Sequence, residues 1–169
     1  MTGQTPLPQP DPAHARPAGL VRIIVEGEAP SRLSVAQEAD RTQAIHDLEQ
    51  ENRFALPGRT GPLLLRLSLQ EGRLGFDLRD AADCPVTAIG LALGPFRRLI
   101  KDYHLLIDAY ETAALEGFEA RVQAIDMGRR GLHDEGAALL QERLAGKAEM
   151  DFATARRLFT LVCALQPRI

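Results

Sequence analysis

The sequence predicts an α+β fold in which a small antiparallel sheet, a meander plus an N-terminal strand, is covered by C-terminal helices. Three observations carry this reading. Leu65, Leu67 and Leu69 alternate with Arg66 and Ser68, and Leu74, Phe76 and Leu78 alternate with Gly75, Asp77 and Arg79. The two runs flank Gln70-Glu71-Gly72-Arg73, so they read as a hairpin. A third run, Val86 to Leu93, follows after a short turn, and sequential strands with short connections pair antiparallel. From Pro95 onward the period changes, and Phe96, Leu99, Ile100, Tyr103, Ile107, Tyr110 and Ala114 fall on one helical stripe.

Residues 1–19 carry Pro6, Pro8, Pro10, Pro12 and Pro17 and read as an extended, disordered tail ahead of one domain over residues 20–166. Leu20 to Val25 is rich in β-branched residues and predicts the first strand. A turn containing Gly27 and Pro30 leads to Ser34, which with Gln37 forms a capping box for a helix running to about Phe54. His46 and Asp47 belong to that helix's solvated face. Pro57 to Pro62 breaks the chain before the hairpin. After the meander, Gly94-Pro95 starts a helix. His104 and Asp108 lie outside its apolar stripe as a surface pair at four-residue spacing. Glu116-Gly117 ends it, a long helix follows from about Phe118 to Gly146, and Asp151 caps the last helix, Phe152 to about Leu165. Apolar residues cover more than half of that last helix, so it must be largely buried.

Composition narrows the function. The formal net charge of −3 does not favour non-specific nucleic-acid binding. No tract is long and apolar enough to span a membrane, and the polar, proline-rich start lacks the apolar core of a secretory signal, so a cytoplasmic protein is expected. Cys84 and Cys163 have neither metal nor redox spacing and read as reduced core thiols. No metal or cofactor motif is present.

The chemically unusual stretch is 123–140. On a helix, Val122, Ile125, Leu132, Leu139 and Leu140 share one face with Gly128 and Gly136. Each interior glycine costs about 1 kcal/mol relative to alanine, and close approach of a neighbouring backbone or ligand would compensate. Arg129 also falls within this face. A guanidinium cannot shed its charge, so it needs partners. Asp126 and His133, three residues back and four on, can meet it, while Arg130 and Asp134 sit on the solvent side. The candidate site residues are therefore Arg129, His133, Asp126, Arg130 and Asp134. Two readings fit them: a structural ion-pair cluster beside helix-packing glycines, or a small anion site with Arg129 and His133 as its polar groups.

The runs Ile125-Asp126-Met127-Gly128-Arg129-Arg130-Gly131-Leu132-His133-Asp134-Glu135-Gly136, Arg143-Leu144-Ala145-Gly146-Lys147 and Asp151 to Cys163 resemble the alphaproteobacterial uncharacterised protein family 0262. The similarity continues through Arg97 to Tyr103 and Leu48 to Phe54. The resemblance implies a cytoplasmic bacterial protein and carries over no activity, cofactor or catalytic residue. The proline-rich start and the Gln166-Pro167-Arg168 end depart from the family pattern.

Three arginine doublets, Arg97-Arg98, Arg129-Arg130 and Arg156-Arg157, fall on successive helices. They either pair with nearby carboxylates or converge on one anion. The functional alternatives are a binding or regulatory module, for a protein partner or a small anionic ligand, and a small enzyme. In the enzyme, His133 would be acid or base and Arg129 would hold an anionic substrate.

Overall fold

The computed structural model of the protein describes residues 19–26 and 33–166. The proline-rich tail and the turn at Gly27 and Pro30 lie outside the described residues. The elements run β1 (Leu20–Glu26), α1 (Val35–Gln50), β2 (Phe54–Ala55), β3 (Leu63–Gln70), β4 (Arg73–Arg79) and β5 (Pro85–Ala92). After a single 3₁₀ turn at Gly94–Phe96 come α2 (Arg97–Glu116), α3 (Glu119–Leu144), β6 (Glu149–Met150) and α4 (Phe152–Leu165).

Four strands form one sheet in the order β1-β3-β4-β5. The meander β3-β4-β5 is antiparallel, as the alternation predicts. β1 also joins it, but parallel to β3, so the sheet is mixed rather than wholly antiparallel. The physical reason is α1: a helix between two neighbouring strands returns the chain to the end where it started. Glu71 and Gly72 take φ of 51° and 74°, the two left-handed positions of a tight hairpin turn. One face of the sheet carries Leu65, Leu67, Leu74, Phe76, Leu78, Ile89 and Leu91, all buried. Ser68, Asp77 and Arg79 point the other way.

The helices end where local chemistry dictates. Ser34 Oγ accepts from the Gln37 amide at 3.2 Å, and the Gln37 side chain accepts from the Ser34 amide at 3.1 Å, closing the capping box. α1 stops at Gln50 and does not reach Phe54. Asn52 intervenes, its amide donating to the carbonyls of Leu48 at 2.7 Å and Leu20 at 2.6 Å. Phe54 then pairs with Met150 in the two-stranded β2-β6 ribbon. Gly117, at φ 74°, ends α2, and the short link to α3 makes the two helices neighbours. Asp151 caps α4 through the Thr154 amide at 2.9 Å.

The buried centre of the helical layer is α4. Thr154 to Leu165 is buried throughout except for Arg156 and Arg157, and the helix packs against both α1 and α3. Cys163 lies within it, as expected. Cys84 does not follow the core assignment and is exposed, because it sits in the turn before β5, where its amide donates to Asp80. His104 is also a correction. It is buried, not on the surface, because α4 packs over it and sets its Nε2 3.3 Å from the Cys163 carbonyl oxygen.

Candidate functional site

The predicted site residues lie on α3, and three other helices supply their surroundings. Arg129 is mostly buried, with a side-chain exposure of 22%. It donates to Asp126, one turn back, at 3.3 Å, as the spacing predicts. Its second partner is Asp40 of α1, at 3.2 Å. The same Asp40 oxygen accepts from the Tyr103 hydroxyl of α2 at 2.8 Å. The guanidinium carbon stands 5.6 Å from the Tyr110 ring centre, within cation–π range. Arg130 is exposed and pairs with Asp126 at 3.3 Å. Two carboxylates and two guanidiniums thus balance each other.

His133 does not hydrogen-bond to Arg129. Its ring stacks on Tyr103, with centroids 5.6 Å apart, and meets the edge of Phe159 of α4 at 6.0 Å. Its Nε2 is inaccessible, and no group among the described residues hydrogen-bonds to it. Burial, followed by the repulsive Arg129 charge, pushes its pKa down to about 4, so the imidazole is neutral at pH 7. Burial and the Asp40 charge push the Tyr103 phenol well up, which keeps it a proton donor to Asp40. Burial likewise raises the Cys163 thiol.

A small cleft of about 240 Å³ opens on the α4 side of His133, lined by Ala153, Arg156, Arg157 and Thr160. Arg156 Nε stands 3.0 Å from Asp134, so the predicted surface residue Asp134 is drawn to α4. Arg157 donates to the Glu51 carbonyl at 2.9 Å. In the remaining doublet Arg98 pairs with Glu135 of α3 and with Asp102. The doublets therefore engage separate partners and do not converge on one point. Gly136 explains its own presence: a Cβ there would overlap the Phe159 ring, whereas Gly131 faces open space. Among the described residues no group of three or more His, Cys, Asp or Glu could hold a metal ion, and no helix is long and apolar enough to cross a membrane.

Sequence reasoning missed Asp40, Tyr103 and Phe159 as members of the cluster. The signal available for Asp40 was weak: an acidic residue on the predicted α1, one among several.

The depressed His133 pKa has a consequence for stability. The unfolded chain takes up a proton near the ordinary value of 6.5, and the folded chain only near 4. The contribution is therefore complete above pH 6.5 and is lost as pH falls toward 4. With 1.36 kcal/mol per unit and a discount for partial exposure, it is on the order of 2 kcal/mol. Denaturant unfolding from pH 7.5 to 4 should show this loss in the native chain and a shallower one in His133→Gln. Parallel curves would contradict the neutral, buried assignment.

These features define a class: an α+β domain whose four helices enclose a charge-balanced Asp-Tyr-Arg-His cluster beside a small basic cleft. Residues 18–168 match the model of the Uncharacterised protein family (UPF0262), and the chain belongs to that family. A UPF0262 protein of Granulibacter bethesdensis is 59% identical over 167 residues, covering 94% of this chain and 95% of the relative. That of Acidiphilium cryptum is 56% identical over 150 residues, covering 88% and 93%. That of Rhodospirillum rubrum is 51% identical over 131 residues, covering 78% and 81%. No solved structure matches the chain.

Proposed function

We propose that the protein is a cytoplasmic binding module that takes a small anion, a carboxylate or phosphate group, in the cleft between α3 and α4. Arg156 and Arg157 are its contacts, and the His133 ring forms the α3 wall of the cleft. The observation that carries this reading is a cleft lined by two guanidiniums, Arg156 and Arg157, with His133 as its α3 wall. Arg129, Asp126 and Asp40 form the frame behind it, because their charges already neutralise one another. Arg130 pairs outward with Asp126, and Asp134 holds Arg156 in place. The enzyme reading draws less support. A general base works best with a pKa near the working pH, and His133 lies far below it.

Thermal unfolding with inorganic phosphate and with succinate tests the proposal. Ligand at 100 times its dissociation constant adds about 2.7 kcal/mol of stability. The native chain should be stabilised by one of the two anions, and Arg156→Gln and Arg157→Gln should lose that shift while staying folded. A shift that persists in both variants, or none at millimolar anion, overturns it.

A further inference from the structure

The cleft between α3 and α4 has an acid beside its arginines. Asp134 Oδ1 stands 3.0 Å from Arg156 Nε, and that nitrogen is closed to solvent. Among the described residues no other side chain pairs with the Arg156 guanidinium, so its outer nitrogens face the cleft with Arg157. Arg157 directs one donor to the Glu51 carbonyl at 2.9 Å and keeps the rest of its fork. The cleft, at about 240 Å³, is smaller than pockets for drug-sized ligands, which run ~300–1,000 Å³, and suits a small ion.

An ionised carboxylate only accepts hydrogen bonds. Beside an anion site it repels any ligand oxygen without a proton and accepts a hydrogen bond from one that carries a proton. The donors of one guanidinium lie in a plane next to one another, so an anion on the outer nitrogens of Arg156 stands beside Asp134.

We infer that the anion taken by this cleft is free hydrogen phosphate, whose remaining proton is donated to Asp134 while Arg156 and Arg157 hold the unprotonated oxygens; the inference rests on the anion site proposed above. Asp134 is then the residue that sets specificity. Sulfate has the same tetrahedral shape and, in mildly alkaline solution, the same double charge, but no proton to offer. Succinate has none either. A phosphate monoester loses its last proton near pH 6, so at about pH 8 it behaves as sulfate does.

Amide NMR titration of the full chain at about pH 8 and constant ionic strength, following residues 153–160, compares inorganic phosphate, sulfate and methyl phosphate. Site-resolved shifts separate binding in the cleft from the general stabilisation that such salts give proteins. A hydrogen bond to a charged group changes affinity by roughly 10- to 100-fold, and Asp134 keeps 54% of its side-chain surface exposed, which places the expectation at the lower end. Phosphate should therefore bind about tenfold more tightly than sulfate or methyl phosphate. Asp134→Asn supplies a donor where the native chain has only an acceptor, and Asp134→Ala removes both the acceptor and the repulsion. In either variant sulfate should gain affinity and the phosphate-to-sulfate ratio should fall to about one. Arg157→Gln should weaken both anions together. Equal binding of phosphate and sulfate by the native chain overturns the inference and leaves the anion site standing. A phosphate preference that survives both Asp134 substitutions also overturns it. If none of the three anions moves these amides at millimolar concentration, the anion site falls as well.

Discussion

Gly136→Ala is expected to destabilise the protein by roughly 2 kcal/mol, although alanine is the better helix former. Two effects oppose each other. Alanine in a helix interior gains about 1 kcal/mol over glycine. Against this, the new Cβ overlaps the Phe159 ring, which is fully buried and cannot step aside. Overpacking a rigid core costs about 1–3 kcal/mol and occasionally more, and an overlap of this severity lies at the upper end. In a domain of this size each kcal/mol moves Tm by about 2–4 °C, so a fall of about 4–8 °C is expected. Gly131→Ala is the internal control. It faces no neighbouring atom, so only the propensity term operates and stability should rise slightly. In a Phe159→Leu background the Gly136→Ala penalty should shrink, because the smaller side chain vacates the overlap. Equal effects of alanine at 131 and 136 would refute close packing of α3 on α4 as the reason for Gly136.

Asp40→Ala is expected to cost about 2–3 kcal/mol. The change strips the Tyr103 hydroxyl of its acceptor and leaves Arg129 with Asp126 alone. Removing one member of a buried ion pair costs about 3–5 kcal/mol, and the figure is reduced here because Asp40 and Arg129 keep 23% and 22% of their side-chain surface exposed. Arg129→Met should also destabilise. The double variant should lose less than the sum, since neither charge is then left alone. His133 supplies a second, independent readout. The Arg129 charge depresses its pKa and the Asp40 charge raises it. A proton-NMR titration of the imidazole should therefore show the midpoint rising from about 4 in Arg129→Met and falling in Asp40→Ala. Additive stabilities together with an unmoved His133 midpoint would contradict the cluster.

What could be read from the chain was local. The capping box at Ser34 and Gln37, the cap at Asp151, the stops at Gly117 and Gly146 and the two-residue turn at Glu71-Gly72 each depend on residues a few positions apart. Alternation marked the inward faces of β3 and β4, and density of apolar residues marked α4 as buried. The Arg129–Asp126 contact belongs to the same category, since one helical turn joins them. Errors arose where a neighbour came from elsewhere. His104 reads as a surface residue on α2 alone, yet α4 covers it. Cys84 reads as apolar by type, yet it sits in a turn.

The chain by itself determined the α+β class, the order of the longer strands and helices and the fact that Arg129 must find a carboxylate, because periodicity, caps and an unsheddable charge are properties of short segments; the short β2-β6 ribbon was not legible. The tertiary structure alone decided that α1 would carry Asp40 to Arg129, 89 positions away, and that α4 would bring Phe159 against Gly136 and Arg156 against Asp134. It also decided that α1 would return the chain so that β1 lies parallel to β3. Partner choice over such distances depends on how helices pack around a shared core, and any of several carboxylates in the chain meets the electrostatic need equally well until packing selects one.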